Sequence, residues 1–352
     1  MLTQIRSTRP VRTDGGPLVD RQARQVRYLR LSLTDRCNYR CTYCMPPDGI
    51  EHRPQREMLT HEELVAVCRA FAAWGVERVR LTGGEPTVRR GLVALVRSLC
   101  AIEVRGGGRL EVVMTTNGER LAELAGPLAE AGLSGLTVSV DSFDRQRFLR
   151  ITRRGDLSKV LAGIDAAIAH GLAPKLNTVA IHGFNHDELP GIARYAWDRG
   201  LVPRFIEVMP MSAGALFIPG ELLPAATIRA MMADAFAGEI VAESAEGVRG
   251  LGPATYWRVD GGPHAGRCFG LIAAMTENFC ASCNRLRLSA TGQLHACLAR
   301  DESGDLRAAL RHGGVGALEV AVRRLVGEKE DGHRFALDGS GGPTKAMISI
   351  GG

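Results

Sequence analysis

Six short strand-forming runs recur through the first two-thirds of this 352-residue chain, with stretches of helical periodicity between them, and that alternation does most to limit the fold. Residues 28–33 set the pattern. Leu29, Leu31 and Leu33 fall on one face, Arg30 and Ser32 on the other, the period of a half-buried strand. Further runs lie near 79–81, 110–115, 136–140, 176–180 and 204–208, and helical patterns cover about 61–74, 88–101, 119–131, 158–170 and 187–199. The first helix is bounded by a capping box, Thr60 with Glu63, and by Gly75. Roughly six βα units of this kind predict an α/β protein with a parallel sheet, open or closed as a full or partial barrel.

Composition is that of a globular metabolic protein. The chain is 45% hydrophobic, yet no apolar run approaches the length of a membrane span, so no membrane partner is expected. The first thirty residues lack a hydrophobic signal core. They are Arg-rich but interrupted by Asp14, Asp20 and Gly15-Gly16-Pro17, which disfavours a mitochondrial targeting peptide and predicts a loosely ordered extension over residues 1–20. A net charge of +6 without a dense basic run argues against nucleic-acid binding and leaves room for a polyphosphate substrate. Lysine is scarce (Lys159, Lys175, Lys329, Lys345), which draws attention to Lys175 near the start of the fifth run.

The polar motifs fall at successive strand ends. Cys37, Cys41 and Cys44 follow the first run, Gly83-Gly84-Glu85-Pro86 the second, and Thr115-Thr116-Asn117-Gly118 the third. Ser139 and Asp141 end the fourth, Asn177 lies on the fifth, and Glu207 with Met209 ends the sixth. Each could be turn chemistry alone. Together they mark one rim, where parallel α/β sheets place their active sites.

Six of the nine cysteines form two triplets: Cys37, Cys41 and Cys44, spaced C-x3-C-x2-C, and Cys280, Cys283 and Cys297. Three thiolates can hold three irons of a [4Fe-4S] cluster and leave the fourth open to a chelating small molecule. A structural zinc site, with His52 as the near fourth ligand of the first triplet, is the alternative, although zinc favours four closed ligands. Cys68 and Cys100 read as small buried hydrophobes, and Cys268 as core or a nearby thiol. A chain this long needs no disulfide staples, so reduced cysteine and a cytoplasmic location are expected.

The first triplet, with Tyr43 before its last cysteine, and the Gly-Gly-Glu-Pro motif resemble the radical S-adenosylmethionine superfamily. Arg30–Cys37, Arg80–Pro86, Asn278–Arg287 and the terminal Gly351-Gly352 narrow the resemblance to the GTP 3',8-cyclase family, which opens molybdenum cofactor biosynthesis; it runs from about Tyr28 to the end. It implies a partial (βα)6 TIM-like barrel over 21–225, its mouth closed by a C-terminal cluster-binding α+β extension over 226–352. The implied cofactors are two [4Fe-4S] clusters, on Cys37, Cys41 and Cys44 and on Cys280, Cys283 and Cys297, together with S-adenosylmethionine against Tyr43, Gly84, Ser139 and Met209. GTP would be held by Arg30, Arg80, Thr115, Lys175, Arg285, Leu286 and Arg287, its base on the second cluster. Arg285, Arg287, Gly351 and Gly352 would also shape the reaction, in which a 5'-deoxyadenosyl radical takes hydrogen from C3' and the ribose carbon closes on C8. An external electron donor, a homodimer and hand-over of product to cyclic pyranopterin monophosphate synthase are implied partners. A peptide-modifying radical enzyme with an auxiliary cluster, and a zinc-stabilised binding module without catalysis, are the alternatives; a dinucleotide oxidoreductase would need a G-x-G-x-x-G that is missing after the first strand.

Overall fold

A computed structural model describes residues 15–243 and 252–351. The six expected strands are β1 Tyr28–Ser32, β2 Arg78–Thr82, β3 Glu111–Thr116, β4 Gly135–Ser139, β5 Lys175–Ala180 and β6 Val202–Glu207. Between them run α1 His61–Ala73, α2 Leu92–Cys100, α3 Leu121–Glu130, α4 Arg145–Thr152, α5 Leu157–Ala169 and α6 Leu189–Asp198; α7 Ala225–Phe236 follows β6. Helix α4 was not expected. It buries only Phe148, Ile151 and Thr152, too few apolar positions for a helical stripe to show in sequence.

The C-terminal part adds β7 Glu239–Ala242, β8 Thr255–Asp260, β9 Cys268–Ile272, β10 Arg285–Leu288, β11 Gln293–His295, β12 Gly304–Asp305 and α8 Leu306–Gly327, which is broken at Gly314. All twelve strands join one open sheet, in the order β12-β11-β10-β1-β2-β3-β4-β5-β6-β9-β8-β7. Strand β10 is parallel to β1 and β9 is parallel to β6, so the parallel run from β10 to β9 has eight strands rather than six. The C-terminal region therefore extends both edges of the barrel-like sheet. Because β9 and β10 point the same way, the connector 273–284 must travel from the carboxyl ends of the strands back to their amino ends.

Alternation sorts the strand side chains. Leu29, Leu31, Leu286 and Leu288 are fully buried under the helices, while Arg30, Arg285 and Arg287 take the opposite face. Helix α1 starts at the expected capping box, with Thr60 Oγ1 accepting from Glu63 N–H and Glu63 Oε2 accepting from Thr60 N–H. Its face of Leu64, Val67, Cys68 and Phe71 is buried, Cys68 as a small hydrophobe. Of the expected N-terminal extension, residues 1–14 lie outside the described residues; beyond them Leu18 is fully buried with its N–H donating to Trp74 O at 3.1 Å, Asp20 is buried in an ion pair with Arg24, and Val19 between them is half exposed. No described helix is long and apolar enough to cross a membrane.

Candidate active site

At the carboxyl rim the loops after β1, β2 and β3 are tied to one another. Gly84 N–H donates to Thr34 O at 2.7 Å and Glu85 N–H to Arg36 O at 2.8 Å. A Cβ on Gly84 would overlap the Arg36 carbonyl, so only glycine lets this loop lie on the turn that carries Cys37. Glu85 is fully enclosed, and its carboxylate accepts from Thr87 N, Thr87 Oγ1, Thr116 Oγ1 and Asn117 N at 2.7–3.0 Å. Asn117 Nδ2 in turn donates to Asn38 Oδ1 at 2.8 Å. The buried Asp141, just past β4, accepts from Tyr43 OH at 2.7 Å and Val179 N–H at 2.8 Å. For the motifs after β1, β2, β3 and β4 the expected convergence is thus physical contact, whereas Glu207 after β6 bonds to Ala225, Met275 and Thr276.

The first triplet lies in this enclosed and acidic setting. Burial, then the Glu85 carboxylate, pushes the Cys37 thiol up to about 12. Burial pushes Cys44 up to about 11 despite a hydrogen bond from Ile348 N–H, and raises Cys41 with help from Asp141. Burial also lifts Asp141 itself to about 6.

The second triplet sits at the other end of the strands. Cys280 and Cys283 occupy the connector just before β10, whose first residue, Arg285, pairs with Tyr28 at the start of β1. Strand β11 runs back antiparallel, with His295 opposite Arg287, which returns Cys297 toward the same end. Here burial alone would raise the Cys283 thiol, but Arg285 and Lys329 overcome it and bring it down to about 6. All nine cysteines are free. Within each triplet the thiols repel one another's ionisation, as Cys41 is raised by Cys44 and Cys37 and Cys280 by Cys297 and Cys283. Each site brings three soft sulfurs near one another, a donor set that suits an iron–sulfur cluster.

Arginines bridge the two ends along the concave face. Arg287, Arg30 and Arg80 stand in register across β10, β1 and β2. Arg80 donates to Thr115 Oγ1 at 2.9 Å, to Thr137 Oγ1 at 3.0 Å and to the Tyr28 hydroxyl. Arg204 on β6 is buried and donates to the same Thr137 Oγ1 at 2.9 Å. Lys175 Nζ donates to Tyr256 OH at 3.3 Å. Burial and the neighbouring Arg287 pull Arg30 well below its usual value; burial and Arg285 bring Arg287 down to about 10. Guanidiniums gathered in register on one face present the paired N–H donors that suit phosphate oxygens.

The chain terminus reaches the same face. Met347–Ile350 forms a short 3-10 turn, Ile348 and Ile350 are buried, and Gly351 O accepts from Arg30 Nη2 at 3.1 Å and Arg287 Nη1 at 3.5 Å. Gly351 has φ +79°, and a Cβ there would press on Thr82 Oγ1. Gly352 lies outside the described residues. Ser139 and Met209 lie at the carboxyl rim, as expected. Leu286 turns its side chain into the core, away from the face that carries Arg285 and Arg287. Sequence reasoning missed Arg204, Thr137, Tyr28 and Tyr256; Arg204 was visible as a charged residue inside the sixth apolar run.

The family described as the radical SAM superfamily matches residues 31–196, and Molybdenum Cofactor Synthesis C matches 202–335. The chain is 42% identical to the GTP 3',8-cyclase of Rhodopseudomonas palustris (strain TIE-1) over 96% of its length and 95% of that protein's. It is 43% identical to the GTP 3',8-cyclase of Paracoccus denitrificans, covering 91% and 90%. Among solved structures, Streptococcus suis SuiB bound to precursor peptide SuiA matches at 12% identity and TM-score 0.49, over 60% of this chain and 46% of that one.

Proposed function

This chain belongs to the GTP 3',8-cyclase family of the radical SAM superfamily, and from that membership we propose how its residues divide the work. Its activity is conversion of GTP to (8S)-3',8-cyclo-7,8-dihydroguanosine 5'-triphosphate, the first step of molybdenum cofactor biosynthesis. When bound, the [4Fe-4S] clusters and S-adenosylmethionine supply the 5'-deoxyadenosyl radical and the electrons. In our reading Cys37, Cys41 and Cys44 hold the first cluster and Cys280, Cys283 and Cys297 the second. Tyr43, Gly84, Ser139 and Met209 position S-adenosylmethionine at the carboxyl rim, where the enclosed carboxylate of Asp141 suits a sulfonium cation.

Arg30, Arg80, Arg285 and Arg287, with Arg204, Thr115 and Lys175, hold GTP between the two ends. The observation that carries this reading is the register of Arg287, Arg30 and Arg80 between the triplets. Guanidinium forks on neighbouring strands match the oxygens of a triphosphate, which can accept from several of them at once. The backbone carbonyl of Gly351 touches two of these arginines, which supports the reading that the terminal glycines help arrange the substrate. The division at residue 225, an external electron donor, a homodimer, a cytoplasmic location and hand-over to cyclic pyranopterin monophosphate synthase belong to the same proposal. Anaerobic incubation of cluster-loaded protein with S-adenosylmethionine, a strong reductant and each nucleoside triphosphate in turn tests it. GTP alone should give both 5'-deoxyadenosine and a cyclised nucleotide. Equal turnover of ATP would refute the substrate assignment.

A further inference from the structure

One buried side chain at the second triplet has no place in the roles above. Lys329, two residues beyond α8, is 4% exposed. Its ammonium donates to Arg285 O at 2.9 Å, Cys283 O at 3.1 Å and Cys283 Sγ at 3.4 Å. Three protons thus meet three acceptors, and none is a carboxylate. Burying an ammonium is costly unless an opposite charge faces it. Of these acceptors only the sulfur can carry that charge.

The lysine is held where it stands. Arg24 Nη1 donates to Cys280 O at 2.8 Å and Asp331 O at 3.2 Å, and its Nη2 donates to Glu330 O at 2.7 Å. Arg24 is itself fixed by Asp20 Oδ2 at 2.6 Å. The turn that carries Lys329 is therefore clamped to the loop that carries Cys280 and Cys283. The first triplet has a different environment. Its sulfurs receive hydrogen bonds from Tyr39 N–H and Ile348 N–H, with Glu85 and Asp141 as the carboxylates that face it.

Hydrogen bonds to sulfur and net local charge set the potential of an iron–sulfur cluster. We propose that Lys329 is a positioning residue for the second cluster, fixing Cys283 and raising that cluster's reduction potential so that it takes up an electron more readily than the first. The inference rests on the reading that Cys280, Cys283 and Cys297 hold a cluster. In the step concerned, an external low-potential one-electron donor is oxidised by one electron and the cluster goes from the 2+ to the 1+ state. No bond is broken.

The test uses full-length protein with Cys37, Cys41 and Cys44 replaced by Ala, so that only the second cluster is present. If that protein binds no iron, the cluster assignment falls, and the proposal with it, before any lysine variant is made. With iron bound, an electron paramagnetic resonance redox titration compares it with K329Q and K329R in the same background. K329Q should lower the midpoint by at least ~60 mV, the equivalent of a tenfold change in the reduced-to-oxidised ratio of a one-electron couple; K329R should restore most of that loss. If K329Q binds no iron, full loading of K329R supports the proposal and failure to load overturns it. A K329Q midpoint equal to the parent's, or a K329R midpoint as low as K329Q's, also overturns it.

Discussion

The two cysteine triplets occupy opposite ends of the same parallel strands and opposite electrostatic settings. At the carboxyl rim, Glu85 and Asp141 are enclosed with the first triplet, and burial holds Cys37 and Cys44 up at about 12 and 11. At the other end, Arg285 and Lys329 draw Cys283 down to about 6. The barrel face is therefore polarised along the strands, with a rim suited to a cationic ligand and an arginine-lined depth suited to an anionic one. A sulfonium cofactor and a nucleoside triphosphate differ in charge in the same sense. Two sites of similar sulfur content are thus distinguished by the groups around them.

Nucleotide choice offers the largest effect with which to break this comparison. A site built to hydrogen-bond a guanine edge leaves its own groups unpaired against adenine, so ATP should be used less well, on the order of 10⁴-fold at best. Comparison of kcat/KM for GTP and ATP on cluster-loaded protein measures it. If the arginine end serves GTP alone, Arg287→Ala and Arg80→Ala should each weaken GTP use by about 10- to 100-fold, the worth of a charge-assisted hydrogen bond. Both should leave the S-adenosylmethionine KM unchanged; equal loss of both ligands would erase the distinction between the ends.

Smaller effects sharpen it. Replacing Glu207 by Ala should destabilise the metal-free fold by about 2 kcal/mol, because its buried carboxylate accepts from Ala225 N, Met275 N and Thr276 N. Denaturant unfolding reads this, and the lost bonds are among those that anchor the connector leading to the second triplet. Asp141 provides the pH test. Its folded pKa of about 6 lies above the ordinary carboxylate value, so its contribution is present at low pH and is lost as pH rises through about 6. Metal-free protein should gain stability relative to Asp141→Asn between pH 7 and pH 5, on the order of 1–2 kcal/mol. An unchanged difference would mean that the rim carboxylate is not held as described.

Much of this arrangement was legible locally. Strand-forming runs located all six barrel strands, the first of them, residues 28–33, by its period-two alternation. Strand partners were not legible. Nothing near Cys268 or Arg285 says that β9 will join β6 or that β10 will join β1, because parallel pairing over such separations is decided by the whole sheet. The contact of Lys329 with Cys283 was hidden for the same reason, since it spans 46 residues. The burial of Leu18 was not legible either, because a short apolar pair inside a Gly- and Arg-rich stretch shows no periodicity, yet its N–H is tied to Trp74 O.

Exchanging cysteines while following two products tests the division of labour between the ends most directly. Cys37→Ala, Cys41→Ala or Cys44→Ala should abolish 5'-deoxyadenosine formation. Cys280→Ala, Cys283→Ala or Cys297→Ala should leave uncoupled 5'-deoxyadenosine formation and no cyclised nucleotide. Both products are quantified from the same anaerobic reaction. Normal GTP cyclisation by the second set would contradict the account and make that triplet a structural feature.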